Sequence, residues 1–292
     1  MSLTRRHFLE IVAGTLVVPG LARGRARRAE TLCIGLLAPV MAPAGSAAAS
    51  VVRGARLGAE EAERSAALFG GHVELMVDTS VERLLRDARP SVLLGGADEA
   101  ECAHLVERTA GEDVLFINAG CTSDALRVAC ALHAFHVAPS EAMRRDALAM
   151  APAGTPTGSV VASWHPSLEA FGAGQLNDRF RARYGDAMDA RAWEAWMAVK
   201  IVAEAALRAG SARPVALGTY LVQPGTRFDG HKGRPLSFRA WDHQLRQPLY
   251  VVPAAGGRPV EVPDRAPGAR VADQLDRLGT PEAAGACRWG AP

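Results

Sequence analysis

The sequence predicts an α/β fold built around a mostly parallel β-sheet. Between residues 31 and 150, short apolar segments of strand length alternate with longer segments in which apolar residues recur at helical spacing. This strand–helix–strand rhythm is typical of βαβ units, whose strands run parallel. We expect strands at residues 31–37, 72–77, 91–94, 113–117 and 133–137, and helices at 51–68, 81–88, 99–109 and 141–151.

The pattern changes at residues 152–158 (PAGTPTG), where turn-forming residues predict a linker. A first α/β lobe is therefore expected at 30–151 and a smaller second lobe at 152–252. Residues 253–292 are rich in Pro, Gly and Ala and predict an irregular tail. For the second lobe we expect strands at 159–163, 236–238 and 249–252, and helices at 168–184, 190–209 and 214–221.

The chain begins with a pattern typical of export signals. Residues 4–9 (TRRHFL) precede an apolar run over residues 11–21, as in twin-arginine signal peptides. The run is too short to span a bilayer. We therefore expect residues 1–29 to be a signal peptide and the protein to be periplasmic. Without them, 27 basic residues stand against 30 acidic ones, a net charge of −3, which does not favour a nucleic-acid partner.

Five cysteines, an odd number, are expected in an oxidising compartment. Cys121 and Cys130 could form a disulfide, and Cys287 could pair with either, because spacing alone does not fix connectivity.

His133 and His136 lie near Cys121 and Cys130 in the sequence, but the spacing of these four residues matches no zinc pattern. Two histidines three apart on a strand also point to opposite faces. We predict no metal site.

No catalytic motif is present: the sequence lacks a nucleophile elbow, a zinc-protease motif, a phosphate loop and a dinucleotide fingerprint. A non-catalytic protein without a cofactor is predicted. In a parallel sheet, ligands bind beyond the carboxyl ends of the strands. The loops at these ends contain the candidate ligand-binding residues Gly96, Asp98, Gly120, Thr122 and Ser123.

These candidates have different chemistry. Glycine lets a ligand approach the backbone, and the hydroxyl groups of Thr122 and Ser123 can donate hydrogen bonds. Asp98 could instead be a helix N-cap and Thr122 a turn residue. Trp164 and His165 follow the first strand of the second lobe, where they could face the ligand. A core position for Trp164 is an equal alternative.

Four segments resemble the type I periplasmic solute-binding proteins, the branched-chain amino-acid receptor family of ABC transporters. They are residues 91–96 (SVLLGG), 116–122 (FINAGCT), 179–185 (RFRARYG) and 228–238 (FDGHKGRPLSF). The resemblance implies a periplasmic-binding-protein-like type I fold, in which a Rossmann-like parallel-sheet lobe and a second α/β lobe capture a small molecule. It also implies an ABC permease in the inner membrane as partner.

A narrower resemblance is found in residues 163–166 (SWHP), 175–180 (QLNDRF) and 238–248 (FRAWDHQLRQP). They are similar to a subgroup associated with pyrroloquinoline-quinone-dependent alcohol dehydrogenase systems, which implies a link to a periplasmic dehydrogenase. Members of the family carry several βα units where this chain has residues 152–158, so a truncated second lobe is expected. An accessory protein that binds a partner of the dehydrogenase therefore stays an alternative.

The ligand loop also departs from the pattern of amino-acid receptors. Ala97, Asp98 and Glu99 occupy positions where those receptors place hydroxyl residues. The two carboxylates would repel an anionic head group. We therefore do not expect a branched-chain amino acid as the ligand.

Overall fold

A five-stranded parallel sheet forms the N-terminal part of the molecule, as predicted. The computed structural model describes residues 30–254, 256–263, 274–285 and 287–289. The predicted signal peptide, residues 1–29, lies outside the described residues. The strand order is β2-β1-β3-β4-β5, and every pairing is parallel. The strands are β1 (Thr31–Leu37), β2 (His72–Asp78), β3 (Val92–Gly95), β4 (Leu115–Asn118) and β5 (Ala134–His136).

Helices connect these strands, and most of them begin at a capping residue. The side chains of Ser46, Ser80, Asp98 and Ser140 each accept the backbone N–H three residues later. Each cap satisfies one of the donors left free at a helix start. The helices are α1 (Ala47–Ala67), α2 (Val81–Arg83, continued by a π turn at Leu84–Ala88), α3 (Glu99–Thr109), α4 (Asp124–Val128) and α5 (Glu141–Ala149).

Between residues 160 and 262, the described elements include three α-helices and two small antiparallel sheets. One sheet has the order β11-β10-β6 and the other β7-β8-β9. The elements are β6 (Val160–Ala162), α6 (Ala173–Tyr184), α7 (Ala190–Ala209), α8 (Pro214–Leu221), β7 (Phe228–Asp229), β8 (Pro235–Phe238), β9 (Leu245–Arg246), β10 (Leu249–Val252) and β11 (Val260–Val262).

Two expectations for this region need correction. The strands expected at 236–238 and 249–252 form as β8 and β10 but are not consecutive, because β9 lies between them and pairs with β8, whereas β10 pairs with β6. The tail expected to be irregular contributes β11, which pairs with β10. Its Val262 side chain is buried in a small cluster with Val251 and Leu249, which explains why the strand forms.

Helix α7 packs directly on α1. A Cβ atom at Gly54 would lie 2.0 Å from the carbonyl oxygen of Ala192, and one at Gly58 would lie 3.0 Å from that of Trp196. These two glycines therefore let the helix backbones approach closely. Side chains of β1, α1 and α7, together with Trp164, belong to one hydrophobic cluster. The core is continuous across residue 152, where we expected one lobe to end.

The disulfide links Cys130 to Cys287, with 5.3 Å between their Cα atoms. The expected Cys121–Cys130 pair is therefore wrong, and the alternative partner Cys287 is the one observed. Cys121 is a free thiol that packs with Cys102 between α3 and β4. The reason lies in local geometry, because the Cys121 backbone N–H is bonded to the Asn118 side chain and holds the residue in this buried cluster.

Candidate functional site

A pocket of about 270 Å³ opens at the carboxyl ends of the parallel strands, where the sequence predicts a ligand site. We call it the strand-end pocket. The ends of β1, β3 and β4, the N-terminal part of α1 and one residue each of α3 and α7 form its wall, which is mainly apolar. Its lining residues are Leu37, Ala38, Pro39, Ala47, Ala48, Val51, Gly95, Gly96, Ala97, Glu101, Ala119, Gly120 and Arg191.

A second pocket of about 380 Å³ adjoins the first, and we call it the polar pocket. Gly120 and Arg191 line both, so the two pockets are neighbours, and we call the pair the cleft. Its wall comes from the loop after β4 and from α5, β6 and α7. The lining residues are Gly120, Thr122, Glu141, Arg144, Val161, Ala162, Ala190, Arg191 and Glu194.

The side chain of Glu101, in the first turn of α3, binds the backbone of the loop after β3. Oε1 of Glu101 accepts the backbone N–H groups of Gly96 at 2.8 Å and Ala97 at 3.0 Å. Asp98 Oδ1 in turn accepts the Glu101 backbone N–H at 2.8 Å, which completes a reciprocal cap of α3. These two backbone donors are therefore already used by a carboxylate of the protein and are not free for a ligand.

The backbone N–H groups of the loop after β4 are likewise bonded to a side chain of the protein, that of Asn118. Asn118 is buried, and its Oδ1 accepts the N–H groups of Gly120 at 3.0 Å and Cys121 at 2.8 Å. Its Nδ2 donates to the Cys121 carbonyl oxygen at 2.8 Å. Asn118 was not among the predicted site residues, although an asparagine that ends an apolar strand ahead of Ala-Gly is a signal for such a turn.

A buried arginine holds the same loop from behind. Arg127 Nη1 donates to the Ser123 carbonyl oxygen at 2.7 Å, and Nη2 donates to those of Cys121 at 3.1 Å and Ala138 at 2.8 Å. Its Nε donates to Gln244 Oε1 at 3.0 Å. These bonds tie the loop to the C-terminal part of the chain, so its position depends on residues more than a hundred positions away.

Two guanidinium groups face the polar pocket. Arg191 lies in the first turn of α7 and forms no hydrogen bond or ion pair within the described part of the chain. Arg144, on α5, donates from Nη1 to the Val161 carbonyl oxygen at 3.1 Å. The Nε of Arg144 is buried, and no described residue accepts a hydrogen bond from it. The pocket therefore offers positive charge and free donors to a ligand.

A buried acid lies beside these arginines. Glu194 is 2% exposed and accepts a hydrogen bond from Ser163 Oγ at 2.6 Å. Burial raises the pKa of Glu194 to about 7, against the smaller opposing effect of this hydrogen bond. Lys232 is also buried, with Nζ 3.7 Å from the ring centre of Trp193 and 2.7 Å from Gln247 Oε1. Burial lowers the Lys232 pKa well below its usual value.

Three of the predicted site residues come together in the cleft. Gly96 lines the strand-end pocket, Gly120 lines both pockets and Thr122 lines the polar pocket. Gly96 has a φ of +97°, and a Cβ atom there would lie 2.6 Å from Asn118 Oδ1. Glycine is therefore required at this position both by conformation and by space.

Two other predicted residues stabilise the loops and line neither pocket. Asp98 is the N-cap of α3, the alternative considered from the sequence. Ser123 Oγ donates to Glu99 Oε1 at 2.7 Å, which connects the two loops at the surface.

Trp164 and His165 also lie outside the two pockets. Trp164 is 1% exposed, donates from Nε1 to Asn177 Oδ1 at 2.9 Å and stacks on Trp193 with 5.7 Å between ring centres. The chain turns inward after β6, so this indole fills the core instead of facing a ligand. His165 contacts Ser167 Oγ at 2.8 Å, and partial burial lowers its pKa.

Within the described ranges, no three His, Cys, Asp or Glu side chains are placed to hold a metal ion together. Cys130 is engaged in the disulfide, and His136 Nδ1 lies 3.1 Å from Asn118 Nδ2. Among the same residues, no helix is both long and apolar enough to cross a membrane.

Comparison with known proteins identifies the fold. Residues 132–258 match the family model described as Periplasmic binding protein. No curated protein sequence matches the chain significantly. Solved structures of solute-binding proteins match most of the chain at low sequence identity, so they establish the fold and not the ligand.

Three of these structures illustrate the match. The substrate-binding protein LivJ of Streptococcus pneumoniae, in complex with isoleucine, has a TM-score of 0.64 at 14% identity, covering 80% of this chain and 100% of LivJ. An ABC-type branched-chain amino acid transporter of Rhodopseudomonas palustris gives 0.68 at 12% identity, covering 86% and 98%. A solute-binding protein of R. palustris in complex with benzoate gives 0.65 at 13% identity, covering 88% and 99%. The chain has the fold of type I periplasmic binding proteins.

Proposed function

We propose that this protein is the substrate-binding component of an ABC-type importer, which captures a small organic molecule and passes it unchanged to a permease in the inner membrane. The observation that carries the proposal is the cleft at the carboxyl ends of β1, β3 and β4. This is where ligands bind in open α/β sheets. Solved structures with this fold are named as substrate- or solute-binding proteins of ABC transporters, which supports the same class here.

A ligand panel tests this function. The purified protein is heated with alcohols, aldehydes, carboxylates, amino acids and quinones, and its melting temperature is recorded. A ligand at a hundred times its Kd stabilises a protein by about 2.7 kcal/mol. In a chain of this size that is a rise of about 5–10 °C. The absence of any shift across all five classes would contradict the proposal.

We place the protein in the periplasm, exported through the twin-arginine route. Two features support this: the sequence pattern at residues 4–21, and the Cys130–Cys287 disulfide, which suits an oxidising compartment. Replacing Arg5 and Arg6 by lysine should retain the protein in the cytoplasm. Continued export of that variant would contradict this route and leave the binding function standing.

We further infer a link to pyrroloquinoline-quinone-dependent alcohol oxidation, on the basis of the motif resemblance. The residues of those motifs maintain the fold: Trp164 and Asn177 bond to each other in the core, and Gln244 holds Arg127 behind the ligand loop. The link would therefore concern the ligand or a partner dehydrogenase. Its test is whether alcohols, aldehydes or their acids shift the melting temperature more than unrelated compounds do.

A non-transport accessory role is the second candidate. It is favoured by the small size of the sheet β11-β10-β6, whose strands have only three or four residues each, and by the short linker at 152–158. If the second lobe is truncated, the protein would bind a partner of the dehydrogenase system. Co-purification of a dehydrogenase, together with no response in the ligand panel, would favour this role over transport.

A further inference from the structure

We propose that the ligand is a small organic carboxylate whose anionic group binds between Arg191 and Arg144, while its apolar body fills the strand-end pocket. The inference rests on the proposed binding function and names the class of ligand. It places the anionic group away from the loop after β3, where the sequence predicts that Asp98 and Glu99 would repel it.

The loops cannot supply that anionic site. The N–H groups of Gly96 and Ala97 are both bonded to Glu101, and those of Gly120 and Cys121 to Asn118. A carboxylate placed against these N–H groups would meet the negative charge of Glu101 and would find all four donors already bonded. Both effects are unfavourable, since like charges repel and a desolvated anion without hydrogen bonds is costly.

The opposite side of the cleft has the electrostatics that an anion needs. Arg191 lies at the N-terminal end of α7, a helix of 20 residues, whose dipole adds positive potential there. The N-cap of this helix is Asp189, whose Oδ1 accepts the Ala192 N–H at 2.8 Å and whose Oδ2 accepts from Ser50 Oγ at 2.7 Å. An unpaired guanidinium at the positive end of a helix is stabilised by an arriving anion.

Arg144 provides the second cation. Its Nη1 is bonded to the Val161 carbonyl oxygen, and its Nε is buried away from the pocket. Its Nη2 has no hydrogen-bond partner among the described residues and is left to donate to a ligand. Hydrogen bonds between arginine and carboxylate are among the strong ones.

The acidic residues of the polar pocket do not cancel this charge. Glu194 accepts from Ser163, and burial keeps its carboxyl largely protonated below pH 7. Glu141 is exposed in the first turn of α5, where solvent screens it. At mildly acidic pH, the two arginines therefore dominate the pocket.

The body of the ligand follows from the rest of the cleft. Leu37, Pro39, Ala48 and Val51 give the strand-end pocket an apolar wall, and its volume of about 270 Å³ suits a single ring or a branched alkyl group. Arg191 lines both pockets, so an acid group at the arginines and an apolar group at the strand ends can belong to one small molecule.

Calorimetry with matched acids and amides tests the proposal: benzoate against benzamide, and isovalerate against isovaleramide. The two acids are expected to bind at least tenfold more tightly than their amides. Arg191→Gln and Arg144→Gln should each weaken acid binding by about ten- to a hundredfold. They should leave amide binding nearly unchanged. Arg145→Gln is the matched control, because Arg145 is the next residue on α5 and pairs with Asp124 at the surface.

The outcomes separate this inference from the function on which it rests. If amides or alcohols bind as tightly as acids, or if the Arg191 variant retains full acid affinity, the inference is wrong and a binding protein remains. If no compound of any class binds, the binding function fails as well. Should the Arg144 variant fail to fold, the half-buried Arg191 still provides the test, with circular dichroism as the check on its fold.

Discussion

Replacing Glu194 by glutamine should remove the change in the free energy of unfolding that comes from titration of this carboxyl between pH 4.5 and about 7. The carboxyl is fully buried, and burial raises its pKa to about 7 from the usual 4.5. Glutamine keeps the shape and can still accept the hydrogen bond from Ser163, but it does not titrate. The variant therefore isolates the ionisation of this one buried group.

The size and sign of the effect follow from the two pKa values. Because the folded state holds the Glu194 proton more tightly than the unfolded state, its contribution to stability is fully present below pH 4.5 and is lost as pH rises to 7. The difference between the values corresponds to about 3 kcal/mol. The wild type should therefore lose about 3 kcal/mol relative to the Glu194→Gln variant between pH 4 and pH 8.

Urea unfolding at a series of pH values measures this difference directly. Other groups titrate over the same range, but their effects cancel when the two proteins are compared at each pH. Glu107→Gln, on an exposed position of α3, is the control and should run parallel to the wild type. If the Glu194→Gln and wild-type curves are also parallel from pH 4 to pH 8, the carboxyl is not the buried, protonated group described above.

Two further predictions concern packing and the disulfide. Gly54→Ala should lower the free energy of unfolding by about 1–3 kcal/mol or more, because its Cβ would lie 2.0 Å from the Ala192 carbonyl oxygen. The helical control Gly174→Ala, whose nearest neighbour lies at 3.4 Å, should not reproduce this loss in urea unfolding. Cys287→Ser removes a cross-link between residues 157 positions apart, at an expected cost of about 2–4 kcal/mol. A melting temperature no lower than that of Cys33→Ser would contradict the structural role of the bond.

The parallel sheet was predictable because its signal is local. Strands such as β3 and β4 are short runs made almost entirely of apolar residues, and the helix between them begins at a capping residue, Asp98. The position of α7 was not predictable in the same way. Its apolar periodicity says that the helix is buried, but only the approach at Gly54 shows against which partner.

The cleft was predictable in part, for a related reason. Ligands bind beyond the carboxyl ends of parallel strands, and this depends only on where each strand ends. The sequence therefore predicts Gly96, Gly120 and Thr122 as lining residues. Arg191 and Glu194 were not predicted, because charged residues on a helix are expected to face solvent. Only the positions of the neighbouring elements show that these two line a pocket. The disulfide partner was likewise open, since chain connectivity does not report spatial proximity.

The packing of α7 on α1 also sets the order in which the chain can mature during synthesis. When residues 30–151 have been synthesised, all five strands of the parallel sheet are present. The helix α7, which covers the face of α1 that contains Gly54 and Gly58, has not yet been made. Until residue 209 has left the ribosome, that face of α1 is exposed to water and to other nascent chains. A fragment ending at 151 should therefore aggregate when expressed alone, and a split-protein design on this scaffold needs its break beyond residue 209.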